Sequence, residues 1–218
     1  MRERPILFAG DMVREIRAGG KTQTRRVITP QPDGVIGYIR ERETWCFKGD
    51  RDCVATHELA CPYGIPGDRL WVRETWRTRE SLDSMSPSEI ADAASEAGFY
   101  AGPRCPLKFE ADGTTLTWGE QDRHDFGEWG KTRVSIHMPR WASRISLEIL
   151  EVKVERIRDI GREPADALAE GISLRGDSTA APFNAVNDFA ALWDRINEAR
   201  GFGWKANPWV WVVKFRRC

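Results

Sequence analysis

The sequence predicts an α+β fold in which a sheet closes as a barrel and short helices flank it. Three observations carry that expectation. Strand-like runs and short helices follow one another without the regular alternation of a doubly wound sheet. The stretch "SIHMPRWASRISLEILEVKVERI" contains one long alternating strand, and "PWVWVVKF" supplies a closing strand near the end. With 218 residues, 41% of them hydrophobic, the chain can bury one sizeable core, so a single domain over 1–218 is expected.

The elements follow in order. Ile6-Leu7-Phe8 is a short apolar run fit for a buried strand. Asp11 can cap a helix carrying Met12, Val13 and Ile16 on one side, and Gly19 or Gly20 supplies its stop. Thr22 to Ile28 then reads as a strand leaving the helix end. From Thr29 to Pro66 the pattern is weak, punctuated by prolines and glycines. After "PYGIPG" a strand runs from Arg69 to Trp76, with Leu70, Val72, Glu74 and Trp76 on one face and Arg69, Trp71, Arg73 and Thr75 on the other. Glu74 is then a carboxylate on an apolar face: salt-bridged, exposed at the strand end, or in a pocket with a raised pKa.

Residues 77–133 read as an insertion. Ser86-Pro87 opens a helix ending near Gly98, "FEADGTTL" is a hairpin with an Asp-Gly turn, and 117–131 is polar and fit for a mobile loop. The core resumes with Ile145, Leu147 and Ile149; the apolar positions slip at Leu150 to Val152 and Val154, which predicts a bulge. "REPADALAEGI" is a short helix ended by Gly171. Val186, Phe189, Trp193 and Ile196 recur at the helical period, stopped by Gly201.

Lys+Arg and Asp+Glu both number 33, so nothing global attracts a polyanion and any nucleic-acid contact must come from a local basic patch. The absence of a long apolar run or export signal predicts a soluble cytoplasmic protein without membrane contact. The five cysteines then read as mostly reduced thiols. Cys53, His57 and Cys61 are spaced four apart downstream of Cys46, which allows a zinc knuckle, but the paired C-x2-C spacing is missing and no metal or cofactor is expected. Tryptophan is in excess, with ten residues. Core packing accounts for any one of them; as a set, indoles beside arginines also build stacking platforms for bases. Two or three are expected to line a site.

The stretch "GKTQTRR" crowds one lysine, two arginines and two threonines after a helix end. Such a cluster, with free backbone amides, can hold a phosphate or polarise a base carbonyl. Lys21 and Thr24 cannot share a face of an ideal strand, so they converge only if Lys21 still belongs to the turn. "SIHMPRWASRI" adds His137, Arg140, Trp141 and Arg144: a loop packed through Met138 and Trp141, or phosphate and base contacts from His137 and Arg140 with Trp141 as a stacking surface. A Ser-His-Asp triad, a P-loop and a dinucleotide fingerprint are all absent.

"GGKTQTRR", the "GD-x-L-x-V" strand, the "ALAEGI" helix and a final "W-x-x-V-x-F" strand together resemble the ASCH domain, a branch of the PUA-like superfamily. "CPYGIPGDRLWVRETW", "SIHMPRWASRI" and "GWKANPWVWVVKF" are similar to ASCH proteins of bacteriophages and prophages. The resemblance covers both ends of the chain and fails in the 77–133 insertion. It implies a five- to six-stranded PUA-like barrel with two or three flanking helices, and a cleft lined by the "GKTQTRR" loop.

Small bacterial ASCH proteins are amidohydrolases that deacetylate N4-acetylcytidine with a Lys, a Thr and a Glu. Carried over, Thr24 attacks the acyl carbonyl, Lys21 takes its proton, and Glu170 orients or protonates, with Glu74 competing for the carboxylate role. Arg25, Arg26, Trp71, Arg73, Trp76, His137, Arg140 and Trp141 are the expected substrate-binding residues. The implied partner is a nucleoside, a nucleotide or single-stranded RNA. Alternatives are a non-catalytic RNA- or DNA-binding module, and a ribonuclease, which would want a histidine such as His137.

Overall fold

The computed structural model describes residues 1–32, 35–39, 44–48, 56–98, 104–117, 127–162, 165–172 and 181–218. The protein is mixed α+β, mostly sheet with few helices. Its strands are β1 (Glu3–Leu7), β2 (Gln23–Val27), β3 (Val35–Ile39), β4 (Thr44–Lys48), β5 (Thr56–Leu59), β6 (Arg69–Arg73), β7 (Trp76–Arg77), β8 (Leu107–Phe109), β9 (Thr115–Leu116), β10 (Ser146–Arg156) and β11 (Trp209–Arg217). The α-helices are α1 (Gly10–Ala18), α2 (Pro87–Glu96), α3 (Ala165–Ala169) and α4 (Ala181–Asn197). Five strands follow the hydrogen-bonded order β1-β6-β10-β11-β2, and two three-stranded sheets are ordered β3-β4-β5 and β7-β8-β9. Among the described residues no helix is long and apolar enough to cross a membrane.

The chain groups into two compact units. One holds residues 1–2, 18–68 and 148–216. Here β11 pairs antiparallel with β2, setting Val210 opposite Val27, Trp211 opposite Arg26, Val212 opposite Arg25 and Val213 opposite Thr24. Because side chains alternate along a strand, Gln23, Arg25 and Val27 share one face with Val210 and Val212, whereas Thr24 and Arg26 share the other with Trp211. The first face is covered by helices: Ile157, Ile160, Ala167, Ala185, Phe189, Trp193, Val210 and Val212 form one buried cluster. Gly171 and Gly201, both at φ +82°, end α3 and the turn after α4 in the left-handed region that favours glycine.

Within 29–66, where the sequence pattern is weak, the described residues include the β3-β4-β5 meander, with Tyr38 opposite Trp45 and Cys46 opposite Glu58. One expectation is corrected in this unit. The α4 stripe is Ala185, Phe189 and Trp193, not one that ends at Ile196, which is 58% exposed. Four residues on from Trp193 stands Asn197, buried, donating its Nδ2 to the Trp193 carbonyl at 3.2 Å.

The second unit holds residues 3–17, 69–147 and 217–218. β1 runs parallel to β6, with Ile6 opposite Val72 and Leu7 opposite Arg73. Leu70 and Val72 are buried as alternation predicts. The expected strand to Trp76, however, breaks after Arg73. Trp76 exchanges backbone hydrogen bonds with Arg133 (3.1 and 2.8 Å) and opens β7, which pairs with β8. Trp76, Ile90, Cys105, Leu107, Phe109, Met138 and Ala142 make this unit's core, and burial pushes the Cys105 thiol up to about 12. The "FEADGTTL" hairpin forms as read, β8 pairing with β9 across Gly113 at φ +71°.

Helix α2 opens on the expected Ser-Pro. The Ser86 hydroxyl accepts from the Glu89 amide and the Glu89 carboxylate accepts from the Ser86 amide, a reciprocal capping box. Ser86→Ala should lower the unfolding free energy by about 1 kcal/mol, read from the shift of the urea midpoint.

Candidate functional site

Lys21 lies ahead of β2, and three contacts fix it there. It forms a single antiparallel bridge with Glu170, while the Thr22 amide donates to the Ala169 carbonyl at 2.9 Å and the Thr22 carbonyl accepts from Phe215 at 2.8 Å. The turn after Gly19 (φ +83°) is therefore sewn to the end of α3 on one side and to β11 on the other. The Lys21 side chain does not reach solvent: its Nζ donates to the Glu170 carbonyl at 2.7 Å and to Glu170 Oε2 at 3.0 Å.

The same carboxylate is held from its other oxygen. Arg25 Nη1 donates to Glu170 Oε1 at 2.9 Å, Nη2 to Asp166 Oδ2 at 3.1 Å, and Nε to Glu155 Oε1 at 2.8 Å. The Arg25 side chain is entirely buried. Its planar fork suits this task, presenting donors along fixed directions to carboxylates from β10, α3 and the residue after α3. Gln23, on the same face, donates to the Asp166 carbonyl at 2.8 Å.

Two buried cations thus meet one buried carboxylate, Glu170, and two half-buried ones, Glu155 and Asp166. Burial holds the Lys21 ammonium below the ordinary lysine range; Glu170 pulls it back up, and Arg26 and Arg25 press it down further. Burial also works against the Arg25 charge, but Glu170, Glu155 and Asp166 outweigh it and hold the guanidinium above its usual range. Burial lifts the Glu155 carboxyl above the ordinary range against the pull of Arg25. Such a cluster can exchange a proton with a group brought to Lys21 and can hold Glu170 still while it does so.

Thr24 and Arg26 occupy the opposite face of β2. Thr24 is buried, 4% exposed. Burial presses the Arg26 guanidinium down, with Tyr63 and Glu170 acting in the other direction, and burial raises the Tyr63 hydroxyl. On this unit a cavity of about 450 Å³ is lined by Ile28, Pro30, Glu58, Leu59, Pro62 and Trp211, among others.

The remaining expected residues lie in the second unit. Glu74 is salt-bridged: both its oxygens accept from Arg144 at 2.8 Å, and the pair is buried. Arg144 also stacks on Phe109 at 3.9 Å and reaches Asp112 at 3.1 Å. Arg73 lies over the Trp71 ring at 4.7 Å and donates to the Ile136 carbonyl. Trp76, fully buried, meets Trp141 edge-on at 5.8 Å. Arg140 is exposed and forks onto Glu3 at 2.8 and 3.2 Å, and His137 is exposed. Lys21, Thr24, Arg25, Arg26 and Glu170 therefore belong to one unit, and Trp71, Arg73, Glu74, Trp76, His137, Arg140 and Trp141 to the other.

Sequence reasoning passed over Glu155 and Asp166. A signal existed for the second: Asp166 and Glu170 are one helical turn apart and so face the same way. Of the suggested zinc ligands, Cys53 and the His57 side chain lie outside the described residues. Cys46 is buried and Cys61 half-buried, and neither is in a disulfide. Among the described residues no group of three His, Cys, Asp or Glu side chains is placed to hold a metal ion. Compared with family models, curated proteins and solved structures, the chain matches none.

Proposed function

We propose that this chain is a nucleotide- or RNA-directed ASCH protein of PUA-like fold, working in the cytoplasm as an amidohydrolase on a modified nucleoside such as N4-acetylcytidine. The observation that carries the reading is the Lys21–Glu170 pair. A lysine kept from solvent, pressed below its usual range and tied to a carboxylate stands just ahead of a strand bearing a buried threonine. A lysine on an ordinary solvated turn would have none of these properties.

In the proposed reaction Thr24 Oγ1 bonds to the acyl carbon as its proton passes to neutral Lys21. The C–N bond then breaks, and the proton returns from Lys21 to the departing exocyclic nitrogen. Water then loses a proton to the same lysine and bonds to the acyl carbon. The bond from that carbon to Thr24 Oγ1 breaks, Oγ1 takes the proton back from Lys21, and acetic acid leaves as acetate after giving its proton to solvent. Glu170, gripped by Arg25, keeps the lysine amine oriented through both steps.

The test is incubation with N4-acetylcytidine and, separately, with labelled single-stranded RNA, followed by product resolution. Release of cytidine and acetate supports the reading. Cleaved RNA would make the protein a ribonuclease, and RNA bound but unchanged would make it a binding module. Thr24→Ser should retain partial turnover and Thr24→Val essentially none, because valine keeps the shape without the oxygen. Equal rates in Thr24→Val and wild type would remove threonine from the mechanism.

A further inference from the structure

In the second unit the turn after Arg133 holds two apolar side chains out in water. Val134 and Ile136 are 52% and 55% exposed. The turn is closed by its own backbone: the His137 amide donates to the Val134 carbonyl at 3.1 Å, and the Met138 amide to the Ser135 carbonyl at 3.0 Å. Arg133 and Met138, buried on either side of it, anchor it. β-Branched residues lose little rotamer freedom on burial and gain from leaving water. A pinned turn that keeps two of them outside therefore leaves apolar surface for a partner to cover.

The turn is tied to the β1-β6 pair at both ends. Arg73 Nη1 donates to the Ile136 carbonyl at 3.2 Å, and Arg140 forks onto Glu3. Leu7, 40% exposed, stands opposite Arg73 in the strand register. Alternation sets Arg69 and Arg73 on the outer face, because Leu70 and Val72 turn inward and are buried. Glu3 is the one acid in the two strands, so with Arg69, Arg73 and Arg140 the face keeps an excess of positive charge. Two features say what that charge is for. Trp71, the indole of this face, is 8% exposed and lies under Arg73 at 4.7 Å, so no base can stack on it. Aliphatic side chains held outward do nothing for a phosphate backbone, whereas the buried centre of a protein interface is built from apolar contacts. A second copy of this chain would bring the same excess of positive charge, and like faces repel.

We infer, independently of the chemistry proposed at Lys21, that the face made by Leu7, Arg69, Arg73, Val134 and Ile136 docks an acidic segment of another protein, one that carries branched aliphatic side chains between its carboxylates. The aliphatic groups cover Leu7, Val134 and Ile136, and the carboxylates meet Arg69 and Arg73.

The test titrates the full chain into a dye-labelled short peptide of alternating leucine and glutamate, read by fluorescence anisotropy. That peptide should bind, and one of alternating leucine and lysine should bind at least about tenfold more weakly. Ile136→Asp should weaken the leucine–glutamate peptide at least about tenfold. Ile136→Lys should weaken it less, since the variant loses the apolar contact but adds a matching charge. Because position 136 is exposed, both variants should keep the wild-type circular dichroism and melting temperature. No binding of the leucine–glutamate peptide overturns the inference, as does equal binding of the leucine–lysine peptide or equal binding by Ile136→Asp. Single-stranded RNA or phosphatidylglycerol vesicles, bound by the wild type and lost in Ile136→Asp, would give the face to nucleic acid or membrane and overturn it too. Self-association in sedimentation, present in the wild type and lost in Ile136→Asp, would overturn it in favour of a second copy.

Discussion

Arg25→Ala should lower the unfolding free energy by about 3 kcal/mol, because it takes one buried guanidinium away from Glu170, which is buried, and from Glu155 and Asp166, which are half-buried. Glu170 would keep Lys21, but Glu155 and Asp166 would lose the cation that holds them at 2.8 and 3.1 Å. The penalty should depend on pH with a definite sign. Orphaned carboxyls have folded-state pKa values above their unfolded ones, so the variant gains stability relative to wild type as pH falls from about 7 to 5. Glu155 already sits above its usual range in the wild type, and its own contribution is therefore lost as pH rises through its folded value. Arg25→Lys should fall between, since one ammonium cannot reach three carboxylates in the geometry of the fork. Urea midpoints measured across that pH window decide the matter; a pH-independent loss under 1 kcal/mol would mean the cluster is not held by Arg25.

Lys21→Met should reduce turnover of N4-acetylcytidine by roughly 10²–10⁴, the usual worth of a general base. Stability should fall less than in Arg25→Ala, by about 1–3 kcal/mol, because Glu170 Oε1 retains its bond from Arg25. The wild-type rate should rise with pH through the Lys21 value, which burial places below that of a solvated lysine. Glu170 pulls that value upward, so Glu170→Gln should move the rising limb to lower pH as well as slow the reaction. A merely structural carboxylate would lower the rate without moving the limb. Folding follows the same linkage: the unfolded chain keeps the lysine proton to higher pH than the native protein, so native stability rises with pH between the two values. That slope should vanish in Lys21→Met.

Local pattern carried far into this structure, and it failed where a residue's partner lies far along the chain. The glycine after helix α1, the Ser86 cap and the Asp-Gly hairpin are each decided within a few residues and form as read; α1 itself forms too, but it opens at Gly10 and takes Asp11 into its first turn, not as its cap. The break of the strand after Arg73 could not be read locally, since it depends on Arg133, dozens of residues on, and on Arg144 reaching Glu74. The β3-β4-β5 meander was hidden because prolines and glycines around it masked the alternation. Arg25 and Arg26 are neighbours of the same type, and only the register with β11 tells which faces carboxylates under the helices and which shares a face with Trp211. The tryptophan excess was ambiguous for a related reason. Arg73, Arg133, Arg79 and Arg156 lie over the rings of Trp71, Trp76, Trp129 and Trp209, so the indole faces that composition offers to bases also serve the protein's own guanidinium groups.

The alternation of β2 has a consequence for how this segment can vary over time. Five residues carry two chemistries back to back, and a strand's period of two means that losing or gaining one residue swaps them wholesale. Arg25 would turn away from its three carboxylates and Arg26 would be pushed in among them, while Thr24 would leave its face for the helical side. Point substitutions at single positions change one group at a time, and some, such as Arg to Lys, keep its charge. A one-residue deletion between Gln23 and Val27 has no such mild form. Length in this stretch should therefore be far more tightly held among variants that keep the fold than residue identity is, and the mutational path from this strand to any other runs through exchange in place.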